Sequence, residues 1–174
     1  ANLAMVNTYR EALHCEALRE HVFSGERKPL VFGEPRQWIA LILEALRLSA
    51  QGCTEESQGL RARALEQADT KSGQIDGQAF EWIADADQRL GPVLEAIING
   101  RYYWVPFQTI RSLTLEAPAD LRDLVWLPAH ITWVNEGSTV ALVPTRYPGS
   151  ELSEDNRLRM ARRTEWLDQG GDLF

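Results

Sequence analysis

Cysteine is scarce in this chain: Cys15 and Cys53 are the two among 174 residues. So sparse a pair excludes a disulfide framework and reads as two reduced thiols in a cytoplasmic setting. Long apolar runs are missing. None approaches the roughly 20 residues that span a bilayer, so no membrane-spanning segment is expected. The N-terminus lacks a basic stretch followed by an apolar one, so no secretory leader is expected either. Positive charge is also short. Eighteen Lys and Arg face 25 Asp and Glu, a net charge of −7, with a pI near 5.0. Binding by phosphate neutralisation is therefore excluded as a main activity, and with it bulk affinity for nucleic acid or anionic membranes. The nucleophile-elbow, P-loop, dinucleotide-binding and C-x-x-C motifs are all absent.

What is present is the material of an ordinary folded domain. The length fits one domain or two small ones, and the 44% apolar and 25% charged shares are normal for a globular chain. The first third reads as helices. Thr8 and Glu11 have the spacing of a capping box. Tyr9, Ala12, Leu13, Ala17, Leu18 and Val22 follow at helical spacing, and Gly25 is a stop. A second helix is predicted over 36–50, apolar nearly all round and therefore buried. Thr54 caps a third, with Glu55 and Glu56 in its first turn and Leu60, Ala64, Leu65 and Ala68 on one face.

After Lys71 the text changes. Gly73 and Gly77 mark loop, and 87–98 reads as a helix with Leu90, Val93, Leu94, Ile97 and Ile98 inward. Strand signals follow at 102–105, 112–116, 125–127, 130–134 and 139–143, bounded by Pro106, Pro118, Pro128 and Pro144. Asn135-Glu136-Gly137 is a hairpin turn, and Ser153 caps a last helix over 154–168. Helices first and short strands later predict an α+β fold. Residues 1–70 form the helical region and 71–174 an α+β region of short antiparallel strands.

The chemistry-bearing residues are few. Asp85 and Asp87 form an acidic pair, but a calcium loop counted from Asp85 would place Leu90 and Ala96 where it needs Gly and Glu. Asp87 reads instead as the N-cap of the helix after it. An enzyme of unknown reaction would have to use Asp85, Asp87 or Glu81 beside Trp82. His14 and His21 stand seven apart, the wrong spacing for a helical zinc pair, and read as solvated. His130 reads as a core or half-buried residue. No metal or cofactor is expected. Tyr102-Tyr103-Trp104 is an aromatic strand whose alternate residues point to opposite faces. It serves the core, a partner surface that includes Arg101, Tyr102 and Trp104, or a small-ligand site. Arg157, Arg159, Arg162 and Arg163 are interleaved with acids and read as a solvated, ion-paired helix.

Several long segments carry a resemblance. Residues 80–87 (FEWIADAD), 89–95 (RLGPVLE), 99–106 (NGRYYWVP), 120–126 (DLRDLVW) and 144–151 (PTRYPGSE) closely resemble the ImpE family, also called SciE-type or TagJ proteins. Residues 30–35 (LVFGEP) and 161–166 (ARRTEW) fit it too. The resemblance implies a non-catalytic, cytoplasmic accessory protein of bacterial type VI secretion, a virulence-associated system. It implies a tetratricopeptide-like N-terminal part, association with the small sheath subunit TssB, and a link to the recycling ATPase ClpV. It carries over no catalytic or cofactor-binding residue. Family members are expected to have further helical repeats before this sequence and to continue beyond Trp166.

Overall fold

The computed structural model describes residues 2–166. Its elements run α1 (Asn2–Phe23), β1 (Leu30–Val31), α2 (Gln37–Ala50), α3 (Thr54–Gln67), β2 (Gly73–Ile75), β3 (Gln78–Phe80), β4 (Val93–Ile98), β5 (Arg101–Pro106), β6 (Ile110–Leu115), β7 (Trp126–Trp133), β8 (Ser138–Pro144) and α4 (Asn156–Arg159). The fold is α+β. Its strand part is larger than a set of short antiparallel strands: six strands form one mixed sheet in the order β1-β5-β4-β8-β7-β6, and β2 and β3 form a separate hairpin. β1 pairs in parallel with β5, through Leu30–Tyr103 and Val31–Trp104. The remaining pairs of the sheet are antiparallel. A tetratricopeptide arrangement is not established by these helices. α2 and α3 pack on one another as a pair, while α1 lies against β5.

The stretch 87–98, expected as a helix, is instead a turn followed by β4, a central strand of the sheet. All six β4 residues are buried. Val93 and Ile97 face the core cluster with the helices, while Leu94, Ala96 and Ile98 face the cluster on the other side of the sheet. A strand covered on both faces shows no polar alternation, so its apolar run imitates one side of a helix. Asp87 accordingly caps no helix. Its carboxylate accepts the Arg89 amide and grips the Arg89 guanidinium.

Asn99-Gly100 joins β4 to β5 as a two-residue hairpin turn, with φ of +49° and +71°. A Cβ on Gly100 would stand 2.5 Å from the Glu11 carboxylate of α1, so this turn also lies in close contact with the helix. Asn135-Glu136-Gly137 makes the β7–β8 hairpin as expected. Pro128 does not break its strand: β7 runs from Trp126 to Trp133 with Pro128 opposite Leu142. The Pro128 carbonyl accepts the Glu116 amide beyond the end of β6. The missing N–H therefore faces a position where the ladder has already ended.

Other expectations shift with the helices. α1 starts at Asn2, so Thr8 and Glu11 are interior to it and no capping box forms. Its buried stripe is Ala12, Cys15, Arg19 and Val22, while Leu13 is exposed. Cys53, not Thr54, is the N-cap of α3. Both cysteines are free, and burial pushes the Cys15 thiol up to about 11. α4 ends at Arg159, capped by Asp155 rather than Ser153. Of the helix expected over 154–168, residues 167 and 168 lie outside the described residues. Arg157 and Arg163 do pair with acids, both with Asp155. His130 is exposed and bonded to Glu116 at 2.8 Å, not half-buried.

One core cluster joins Ala12, Cys15 and Val22 of α1, Trp38, Ile39, Ile42 and Leu46 of α2, and Ala64 of α3 with Val93, Ile97, Tyr102, Trp104 and Trp126 of the sheet. Trp38, Ile42 and Leu46 are buried, as the spacing of four predicts. Leu46→Ala should cost about 2–5 kcal/mol through lost transfer energy and the cavity left behind. Urea unfolding followed by tryptophan fluorescence measures this; an unshifted midpoint would contradict the packing described.

Candidate functional site

The inner face of α1 carries one charge among small apolar residues. Arg19 is 3% exposed and meets Glu95 of β4, itself 5% exposed. The guanidinium donates to both carboxylate oxygens, Nε to Oε1 at 2.6 Å and Nη2 to Oε2 at 2.5 Å. Nη2 also donates to the main-chain carbonyl of Arg146 at 2.7 Å. The Tyr102 hydroxyl donates to Glu95 Oε1, and Trp104 Nε1 donates to that hydroxyl at 2.8 Å. Alternate residues of β5 thus build one chain of hydrogen bonds on the helix side of the sheet. Burial acts to depress the Arg19 pKa, but the bond and charge of Glu95 outweigh it and hold the guanidinium firmly charged. Burial, reinforced by the Glu95 charge, drives the Tyr102 phenol well above its ordinary value.

Around this pair the loops after β3 and β8 close a cavity of about 70 Å³, lined by Arg19, Asp85, Leu94, Glu95, Val143, Pro144, Thr145, Arg146 and Tyr147. The Thr145 hydroxyl donates to the Leu124 carbonyl at 2.6 Å and fixes the second loop. Asp85 fixes the first: its amide donates to the Gly91 carbonyl at 2.9 Å, and its carboxylate accepts the Asp87 amide at 2.8 Å. Burial raises the Asp85 pKa, and the Glu95 and Asp87 charges add to this, against the lowering effect of hydrogen bonds from the Asp87 amide and the Tyr147 hydroxyl. Burial and the Asp85 charge raise the Tyr147 phenol in turn.

The sequence-predicted residues are divided by this geometry. Tyr102 and Trp104 are 1% and 0% exposed, and Arg101 is exposed on the opposite side of β5. Asp85 lines the cavity, while Asp87 is turned to Arg89. Glu81 and Trp82 are exposed. Reading the sequence missed Arg19, Glu95, Arg146 and Tyr147. Two of them did leave a trace: an acid inside the apolar run Val93–Ile98, and an arginine on the inward stripe of the first helix. Four of the resembling segments, 80–87, 89–95, 99–106 and 144–151, meet at this site. Among the described residues no cluster of His, Cys, Asp or Glu could hold a metal ion, and no helix is long and apolar enough to cross a membrane.

Comparison with known proteins fits the convergence of these segments. The family model described as ImpE protein matches residues 77–174, more than half of the chain, and the chain belongs to the ImpE family. It is 53% identical over 168 residues to a Pseudomonas aeruginosa PAO1 protein named type VI secretion system accessory component TagJ. That match takes in 97% of this chain and 60% of the relative, so the chain spans less than two thirds of the relative's length. A crystal structure of a Vibrio parahaemolyticus protein shares the fold, with a TM-score of 0.85 at 21% identity over 95% of this chain and 61% of that one.

Removing one partner of the buried pair leaves the other uncompensated. Glu95→Gln should therefore destabilise the fold by about 3–5 kcal/mol, and pairing it with Arg19→Met should recover part of the loss. A double-mutant cycle by chemical denaturation tests this, and additive losses would contradict the coupling. Asp85 has the opposite sign. A carboxyl whose folded pKa is raised favours folding below its unfolded pKa, and that contribution is lost as pH rises through the folded pKa. Asp85→Asn should accordingly raise the melting temperature at pH 7, with the gain shrinking toward pH 4. Melts of both proteins across that range give the comparison.

Proposed function

We propose that this chain is part of a non-catalytic accessory protein of bacterial type VI secretion, acting in the cytoplasm by binding a helix of the small contractile-sheath subunit TssB and linked through the sheath to ClpV. The observation that carries the reading is the 53% identity, over 97% of the chain, to the accessory component named TagJ. The chemistry of the interior supports a binding role. Glu95, Tyr102 and Trp104 spend their polar atoms on one another, and Asp87 is held by Arg89. None is set beside a nucleophile awaiting a base.

The surface supports apolar helix recognition. Leu3, Val6 and Leu13 are exposed on α1, spaced at three and seven, on the side away from the stripe that meets the sheet. An apolar stripe at this spacing is what another amphipathic helix packs against. Of the aromatic strand, only Arg101 and part of Tyr103 remain for a partner, so any contribution from that edge is polar and peripheral. The net charge of −7 tunes the association rate more than the affinity.

Calorimetry with an isolated helix of TssB tests the reading. Binding should show a negative heat-capacity change from apolar burial, weaken only modestly between low and physiological salt, and fall about tenfold or more in Leu13→Asp. Absence of binding by this chain and by a full-length relative alike would refute the sheath-adaptor role.

A further inference from the structure

Arg61 is a buried charge without a partner. It lies on the inner side of α3, one turn after Ser57 and one turn before Ala64. The Ser57 hydroxyl donates to the Ala45 carbonyl at 2.7 Å, so this side of α3 faces α2. Arg61 is 5% exposed, yet among the described residues no group accepts a hydrogen bond from its Nε, Nη1 or Nη2. A guanidinium withdrawn from water with all its donors idle is costly, and a carboxylate within reach relieves it.

One carboxylate is at hand and already engaged. The turn that carries Asp87 packs on the same two helices. Leu90 shares the core with Ile42 and Ala64, and a Cβ on Gly91 would stand 3.0 Å from Ile42 Cδ1 and 3.2 Å from Leu65 Cδ2. Burial lowers the Arg61 pKa, the Asp87 charge opposes this, and the Arg89 charge adds to it. Both members of the Asp87–Arg89 pair therefore lie within electrostatic reach of Arg61. Asp87 is buried and bound by Arg89 at 2.5 Å, while the Arg89 side chain keeps 34% of its surface exposed. The Arg89 guanidinium rests over the Phe23 ring, 4.8 Å from its centroid. The partly hydrated guanidinium thus holds the buried carboxylate, and the buried guanidinium holds none. Exchanging them costs little at Arg89, which loses an ion pair open to water, and relieves the unmatched charge at Arg61.

We propose that Asp87 is a two-position latch whose carboxylate passes between Arg89 and Arg61. In the second position the ion pair lies wholly inside, and Arg89 leaves Phe23 and presents a free cation at the surface beside the end of α1. The movement reaches the cavity, because the Asp87 amide donates to the Asp85 carboxylate at 2.8 Å. The latch therefore couples the α2–α3 pair to the loop that carries Asp85. It stands independently of the sheath-adaptor reading, since it uses no residue of the outward face of α1.

A double-mutant cycle read by urea denaturation tests the exchange. If Asp87 were committed to Arg89, Arg89→Gln would strand a buried carboxylate and lower the folding equilibrium constant about a hundredfold or more. The latch predicts a loss below about tenfold, because Arg61 takes over the carboxylate. Arg61→Met alone should leave stability unchanged or raised, as an apolar side chain replaces an unmatched charge. Arg61→Met with Arg89→Gln leaves Asp87 no cation. It should lower the folding equilibrium constant about a hundredfold or more, well beyond the product of the single effects. The Arg61 Nε–H resonance gives a readout separate from stability. In Arg89→Gln it should move downfield and exchange more slowly with water than in the unsubstituted chain, and adding Asp87→Asn should abolish both changes. Single effects that simply multiply, or an Arg61 Nε–H resonance unchanged by Arg89→Gln, would overturn the proposal.

Discussion

The ion pair between Arg19 and Glu95 ties the helical side of this protein to its sheet. Both groups are almost wholly withdrawn from water, which costs several kcal/mol per ion before any attraction is counted. The cost is offset because both oxygens of Glu95 are engaged: two guanidinium donors and the Tyr102 hydroxyl share them. The Arg146 carbonyl takes a further guanidinium donor. Geometry this demanding admits a single placement of α1 on β4. A slip of one residue in either element would bury a charge without its partner, so the pair selects the packing rather than simply adding to its strength.

The rest of the sheet is arranged around that constraint. β4 carries Glu95 on the side where α1 lies and a row of aliphatic residues on the other. The tight turn at Asn99-Gly100 returns the chain at once as β5, which brings Tyr102 and Trp104 onto the same face as Glu95. Gly100 is needed twice over, for its positive φ and for the close approach of Glu11. The second face is filled by Phe32 stacked on Trp133 at 3.9 Å, with Val105, Ile110 and Ile131. Polar order lies on one side and apolar packing on the other, and residues of the loops 81–92 and 144–147 line the cavity beside the pair. Those loops hold Asp85 and Tyr147.

This arrangement is compatible with an accessory role in which surfaces rather than reactive groups do the work. The interior aromatics and charges stabilise a frame, and the frame presents an apolar helix face and a small charged cavity. The family membership rests on the match over residues 77–174, which contains all the sheet except β1. The helices before it share the same core, which ties the surface of α1 mechanically to the region the family model covers.

The sequence by itself determined the helices of the first third, the burial of Trp38, Ile42 and Leu46, the hairpin at Asn135-Glu136-Gly137, the extended state of 102–105 and the family. These are local properties: side-chain periodicity, turn chemistry and long unbroken motifs can be read within a window of a few residues. It misassigned 87–98, because a strand buried on both faces and one side of a helix present the same apolar run. It also passed over most of the site. Arg19 is separated from Glu95 by 76 positions and from the carbonyl of Arg146 by 127, and no short-range pattern distinguishes a future ion pair from a solvated charge. Only the tertiary structure decided that these charges are buried and that they are paired, and it brought Asp85 to the same cavity. Burial and the pairing of charges belong to the packed assembly of elements, where the loss of water makes each unmatched group expensive, and neither exists in the chain until that packing is complete.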